Sequence, residues 1–146
     1  MPIFVKRHFA PLVLSAMGLS TAGYAIETSE LSPVQAVASS SEANHVNAEK
    51  AIDLNINTRW SSQFTDDEWL YLDFGQAAHF DSVTLNWENA HAKNYELQVS
   101  NDAENWTTIQ TITDSQGGQE ELTLNTEGRY LRMKGINRST GYGYSI

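Results

Sequence analysis

The sequence predicts an all-β sandwich of jelly-roll type, and three features lead to that class. Apolar and polar residues alternate along at least six short segments, the pattern of strands with one face in a core. Turn-forming residues separate these segments at regular intervals. Helical periodicity is almost absent, so sheets must cover sheets. With 146 residues, 40% of them hydrophobic, the chain is long enough for one domain with a self-standing core.

Residues 1–25 have the pattern of a cleavable export leader. Lys6 and Arg7 form its basic start, and Phe9 to Leu19 is an apolar run too short for the ~20 residues of a membrane span. Pro11, Ser15 and Gly18 interrupt that run, and Gly23-Tyr24-Ala25 offers small residues for a cut after Ala25. The protein is therefore expected to be secreted, to the periplasm or outside the cell. Residues 26–33 are polar, carry Pro33 and read as a linker, which leaves 34–146 as the folded module. There is no cysteine, so an exported form has no disulfide and relies on its core and on any bound metal.

Asn47 can cap a helix of one or two turns through Ala48, Glu49, Lys50 and Ala51 to Leu54. The strands follow. Leu70, Leu72 and Phe74 alternate with Tyr71 and Asp73; Val83, Leu85 and Trp87 alternate with Thr84 and Asn86; Tyr95, Leu97 and Val99 alternate with Glu96 and Gln98. Trp106 to Ile112, Leu122-Thr123-Leu124 and Arg129 to Ile136 complete the set. Turns are expected at 101–105, 115–118 and 125–128. Trp60, Trp69, Trp87 and Trp106 lie at strand edges or on apolar faces and are expected in the core.

The chain carries 18 acidic against 9 basic side chains, and removal of the leader brings the net charge to about −11. Such a surface repels nucleic acid and anionic membranes. Histidines without cysteine or ligand spacing exclude a zinc centre, and there is no GxSxG or phosphate-cradling loop, so the residues support no enzyme. Asp66-Asp67-Glu68 reads as a solvated acidic run. The loop 53–58 sets oxygen-bearing side chains at every second residue, either to wrap a hard cation such as calcium or to bond its own backbone; it lacks the glycine and the bidentate glutamate of an EF-hand. Tyr142 and Tyr144 lie in a glycine-flanked loop that presents rings outward, or Tyr144 folds back into the core. An aromatic beside carboxylates and Arg138 has the chemistry to stack on a sugar and bond its hydroxyls.

The order of Ala51-Ile52-Asp53, Thr58-Arg59-Trp60-Ser61-Ser62, Trp69-Leu70-Tyr71-Leu72-Asp73-Phe74-Gly75, Trp87-Glu88-Asn89-Ala90, Tyr95 to Ser100, Asn105-Trp106, Arg129-Tyr130-Leu131-Arg132 and Gly143-Tyr144-Ser145-Ile146 resembles the discoidin-like (coagulation factor C-type) domains, and among them the carbohydrate-binding modules of family 32. The resemblance implies a galactose-binding-domain-like jelly roll, non-catalytic, that binds oligo- or polysaccharide through loops at one end and forms the N-terminal part of a larger glycan-active protein. An adhesion domain of the same fold, for protein or membrane, is the alternative. The resemblance also implies one structural calcium, held by a carbonyl near Lys50, the Asp53 carboxylate, the Asn55 carbonyl and Thr58. Leu54 stands where such domains commonly have glycine, which strains a left-handed turn. Similar domains continue beyond the position of Ile146 with a glutamate that closes the calcium site and a final strand, so a C-terminally incomplete module with an open sheet edge is expected. The expected sugar site comprises Glu42, Phe64, Asp66, Arg138 and Tyr142, in a monomer that takes neutral or amine-bearing sugars in preference to acidic ones.

Overall fold

The computed structural model describes residues 2–9 and 27–146. Seven strands form one continuous antiparallel sheet: β1 (Phe4–Phe9), β2 (Glu27–Leu31), β3 (Gln35–Ala38), β4 (Trp69–Asn86), β5 (Ala92–Ser100), β6 (Thr107–Ile112) and β7 (Gln119–Arg138). Two short 3₁₀ turns, Asn44–Val46 and Ala48–Ala51, are the only helical pieces among the described residues.

The sheet becomes a sandwich because its two longest strands bend. β4 and β7 pair along nearly their whole length, but the register breaks between Asp73 and Ala78 and again between Phe80 and Ser82. Gly75 sits in the first break with φ +77°, a backbone angle open to glycine at no cost. The first half of β4 pairs β3 and the second half of β7, which continues into β5 and β6. The second half of β4 pairs the first half of β7 and β1, which continues into β2. Leu70, Leu72, Leu97, Leu131 and Met133 from the first layer meet Ile3, Val83 and Leu85 from the second around a void of only 10 Å³.

The alternation read from the sequence places these residues correctly, but four expectations change. The turn expected at 125–128 lies inside β7, because β7 bends there opposite the break in β4 and keeps pairing through Thr126, Glu127 and Gly128. The helix expected over 47–54 is a single 3₁₀ turn, and Asn47 makes no side-chain cap bond. Part of the expected linker is β2, paired with β1 from Val5–Leu31 to Phe9–Glu27. β1 itself falls inside the expected leader, and it pairs with β4 at residues 82–84. The remainder of the expected leader, from residue 10 to the cut after Ala25, lies outside the described residues.

Candidate functional site

The loops before β4, after β4 and after β7 meet at one end of the sandwich, and buried residues pin them there. Trp60 is fully buried, as its place after the 53–58 loop predicts, and its indole N–H donates to the Ser40 carbonyl at 2.9 Å. Its backbone N–H donates to the Ile146 carbonyl at 2.7 Å, and Ile146 returns the bond at 3.1 Å. Tyr144 folds back into the core; its hydroxyl donates to the Asp66 carbonyl at 2.6 Å, and burial pushes that hydroxyl's pKa well above its ordinary value. Gly143 packs so closely on residues 62 and 63 that a Cβ would lie 2.5 Å from their carbonyl oxygens. Glu42 donates its N–H to Ser61, Glu88 donates its N–H to Ser145, and the Ser61 and Ser145 hydroxyls bond each other at 2.6 Å.

Over this floor lies a cleft of about 360 Å³ whose lining includes Glu42, Arg59, Glu88, Asn89, Thr140 and Tyr142. Two carboxylates face one guanidinium there, so the cleft is net acidic. The Glu88 Oε2 accepts the Ala90 N–H at 3.1 Å, which holds that side chain against its loop. Arg59 donates through Nε to Ser61 at 3.3 Å. Tyr142 is 66% exposed, and Phe64 meets it edge to face with centroids 5.7 Å apart.

Of the five sequence-named sugar residues, Glu42 and Tyr142 line the cleft and Phe64 props Tyr142 from outside. Asp66 and Arg138 are not in its lining. They bond each other, Arg138 Nε to Asp66 Oδ1 at 2.8 Å, while Arg138 Nη1 donates to the carbonyls of Gly141 and Tyr142 at 3.2 and 3.3 Å. The Arg138 side chain first, and its backbone N–H second, hold the Asp66 carboxyl below the usual range. Their work is to fix the loop that carries Tyr142. Glu68 departs from the solvated run expected of it. It is buried beneath the hydroxyls of Ser39, Ser40 and Thr65, and although burial raises its pKa these donors bring it below the ordinary value. Arg59, Glu88 and Asn89 escaped the sequence reading, yet each lies within two residues of a buried tryptophan, Trp60 or Trp87, where a loop leaves the core.

The tryptophans divide differently from expectation. Trp60 and Trp87 are core, whereas Trp69 and Trp106 are half-buried on the outer face of the first layer. There Trp69 stacks on Tyr71 at 5.5 Å, and the Arg132 guanidinium covers Trp106 at 3.9 Å.

The loop 53–58 gathers oxygens. Thr58 Oγ1 lies 2.7 Å from Asp53 Oδ1 and 2.9 Å from the Asn55 carbonyl, while Lys50 Nζ lies 3.3 Å from Asp53 Oδ2. Burial raises the Asp53 pKa, but the hydrogen bonds from Thr58, Asn55 and Lys50 outweigh it and the carboxylate stays charged. Leu54 turns the loop with φ +57°, the left-handed conformation that glycine takes without strain. No group of three or more His, Cys, Asp or Glu side chains is gathered for a metal among the described residues. The donor chemistry of one carboxylate, carbonyls and a hydroxyl nonetheless fits a hard cation.

A bent sandwich with an acidic, aromatic-walled cleft among its end loops defines a discoidin-like module. Residues 50–133 match the NedA-like, galactose-binding domain, and the chain belongs to that family. Chitosan-binding module 1, derived from a chitosanase/glucanase of Paenibacillus sp. IK-5, is 40% identical and superposes with a TM-score of 0.74 over 79% of this chain and 90% of that one. Module 2 of the same enzyme, solved in complex with chitotriose, is 36% identical with a TM-score of 0.75 over 79% and 92%. The polysaccharide lyase 8 family protein HylA of Enterococcus faecalis is 35% identical over 90 residues, which are 59% of this chain and 6% of that protein. The chain thus spans a small part of that curated relative.

Proposed function

We propose that this module binds amino-sugar oligosaccharides of the glucosamine type in the cleft between Glu42, Glu88 and Tyr142. The observation that carries the reading is that two carboxylates and an exposed tyrosine ring line one cleft. A glucosamine residue offers an apolar face for Tyr142, hydroxyls for Asn89 and Thr140, and an ammonium for Glu42 or Glu88. The relative solved with chitotriose supports the same chemistry. The bound glycan is held and not cleaved, in keeping with the binding modules that the chain resembles. Export rests on the leader pattern of residues 1–25, and attachment to a larger glycan-active protein accords with the HylA match.

Calcium in the 53–58 loop is part of the same proposal. Asp53, the carbonyls of Lys50 and Asn55, and Thr58 would hold it, and it would supply rigidity to the segment leading into Trp60 and no reaction chemistry. Titration of glucosamine, N-acetylglucosamine and uronate oligosaccharides into the protein tests the sugar reading. Tight binding of the first with loss in Tyr142→Ala is expected, and preference for the uronate contradicts it.

A further inference from the structure

We infer that His91 is a positioning residue for the glycan cleft, a clamp that ties the loop of Glu88 and Asn89 to that of Thr140 and gains a bond to the cleft wall when its ring is protonated. The inference rests on the reading of that cleft as a glycan site. His91 is half-buried and is not itself in the cleft lining, which includes Glu88, Asn89 and Thr140. Its ring touches the segments that stand behind that lining. Nδ1 lies 3.0 Å from the Asn89 carbonyl and 3.1 Å from the Ser139 hydroxyl, and Nε2 lies 3.2 Å from the Ser115 carbonyl, between β6 and β7. The main chain repeats the tie: the His91 N–H donates to the Asn89 carbonyl at 3.0 Å, and the His91 carbonyl accepts the Ser139 N–H at 3.0 Å. Gly117 makes room for the ring. Its φ of +69° brings the backbone so close that a Cβ there would lie 2.7 Å from the His91 Cγ and Nδ1.

The ring's partners define where its protons go. A carbonyl only accepts, so the bond to Ser115 requires a proton on Nε2. In the neutral ring Nδ1 then carries a lone pair, which accepts from the Ser139 hydroxyl and has no bond to offer the Asn89 carbonyl. In the imidazolium both nitrogens donate. Nδ1–H then reaches the Asn89 carbonyl, and the Ser139 hydroxyl no longer donates to the ring. Imidazole is the side chain whose charge changes between about pH 5 and 8, so the added bond is present on the acid side of that window and is lost as pH rises through it.

The charged groups on the segments packed against the ring are engaged elsewhere. Glu88, on the ring's own loop, accepts the Ala90 N–H at 3.1 Å. Beside Ser115, Asp114 pairs with Lys93 at 3.6 Å and Glu120 accepts the Ser115 hydroxyl at 2.8 Å. Arg138, the residue before Ser139, pairs with Asp66. Among the described residues none of these bonds the ring, so protonation acts through the bond to Asn89. A wall fixed before the glycan arrives lowers the ordering cost of binding, which is how a residue outside the lining sets affinity.

The test compares the whole chain with its His91→Gln variant, whose side-chain amide keeps a donor for Ser115 but takes no proton. The glucosamine trimer is titrated into both by calorimetry from about pH 5 to pH 8. Titration of the sugar's amine and of Glu42 and Glu88 is common to both proteins and divides out of the ratio of their affinities. We expect that ratio to favour the parent by roughly threefold or more at the acid end and to shrink toward the alkaline end. Without sugar, hydrogen exchange at residues 88–91 and 139–140 should slow in the parent relative to the variant as pH falls. Nitrogen NMR shifts of the parent's ring, which need no variant, should show the Nε2–H tautomer at the alkaline end. An affinity ratio independent of pH, equal exchange in both proteins at every pH, or an Nδ1–H tautomer overturns the inference. Failure of the parent to bind the trimer at any pH overturns the amino-sugar reading instead, and the exchange and tautomer measurements then decide the clamp.

Discussion

Trp60 shows how a single residue ties the core to the site. It is buried, bonds the loop of Ser40 through its ring and the segment of Ile146 through its backbone, and follows the oxygen-rich loop directly. Trp60→Ala should cost about 3–5 kcal/mol, read as a shift in the denaturant midpoint, with collapse of sugar binding at conditions where the variant is still folded. Gly135 is a sharper case, because a Cβ there would lie 2.1 Å from the Tyr144 ring; Gly135→Ala should destabilise the fold and shift the near-ultraviolet signal of that tyrosine. At this scale Trp60 was legible in the sequence, since an aromatic at the end of a polar loop has few other uses. Tyr144 was left open, because two tyrosines separated by one glycine look alike until the close packing of Gly135 and Gly143 selects which ring goes in. Trp69 and Trp106 misled because an alternating pattern identifies a strand face without saying whether that face is the inner or the outer one.

Elements were legible where alternation was unbroken, and ambiguous where a bulge bends a strand without ending it. Residues 125–128 carry turn chemistry and yet remain paired, because the break in β4 opposite them absorbs the bend. The ion pair that bridges this bend, Arg129 to Asp73 at 2.8 Å, has a consequence for acid stability. The Arg129 side chain is the chief reason that the Asp73 carboxyl is held below its ordinary range. A depressed folded pKa means that the stabilisation is complete above the unfolded value of about 4 and is lost as pH falls through the folded one. Urea midpoints measured downward from pH 5 should therefore fall, and Asp73→Asn should flatten part of that fall. For the loop 53–58, Leu54→Gly should raise stability by about 0.5–1 kcal/mol, since relief of the left-handed strain exceeds the added entropy of the unfolded chain. If calcium sits on Asp53, the melting midpoint should rise by the equivalent of ~2.7 kcal/mol at a hundredfold excess over Kd, and Asp53→Ala should abolish that rise.

For the molecule as a whole, the acid excess of the sequence and the cleft at the end of the sandwich point to the same class of ligand. Two residues that the sequence reading named, Glu42 and Tyr142, line this cleft, because exposed polar loops with an aromatic are recognisable. It passed over Glu88 and Arg59, which become neighbours only when loops from distant parts of the chain share the floor built by Ser61 and Ser145. It also named Asp66 and Arg138, which lie outside the cleft lining and pair with each other. The central claim, that two carboxylates sharing a cleft with a tyrosine ring select an amino sugar, is tested most directly by calorimetric titration of the glucosamine trimer and its N-acetylated counterpart. The titrations would use the parent protein and Glu42→Gln and Glu88→Gln variants. Charged hydrogen bonds contribute about 1.5–3 kcal/mol, so at least one variant should lose roughly tenfold or more for glucosamine with little change for the N-acetylated trimer. Equal affinity of the parent for both trimers, or glucosamine binding unaltered in both variants, would contradict it.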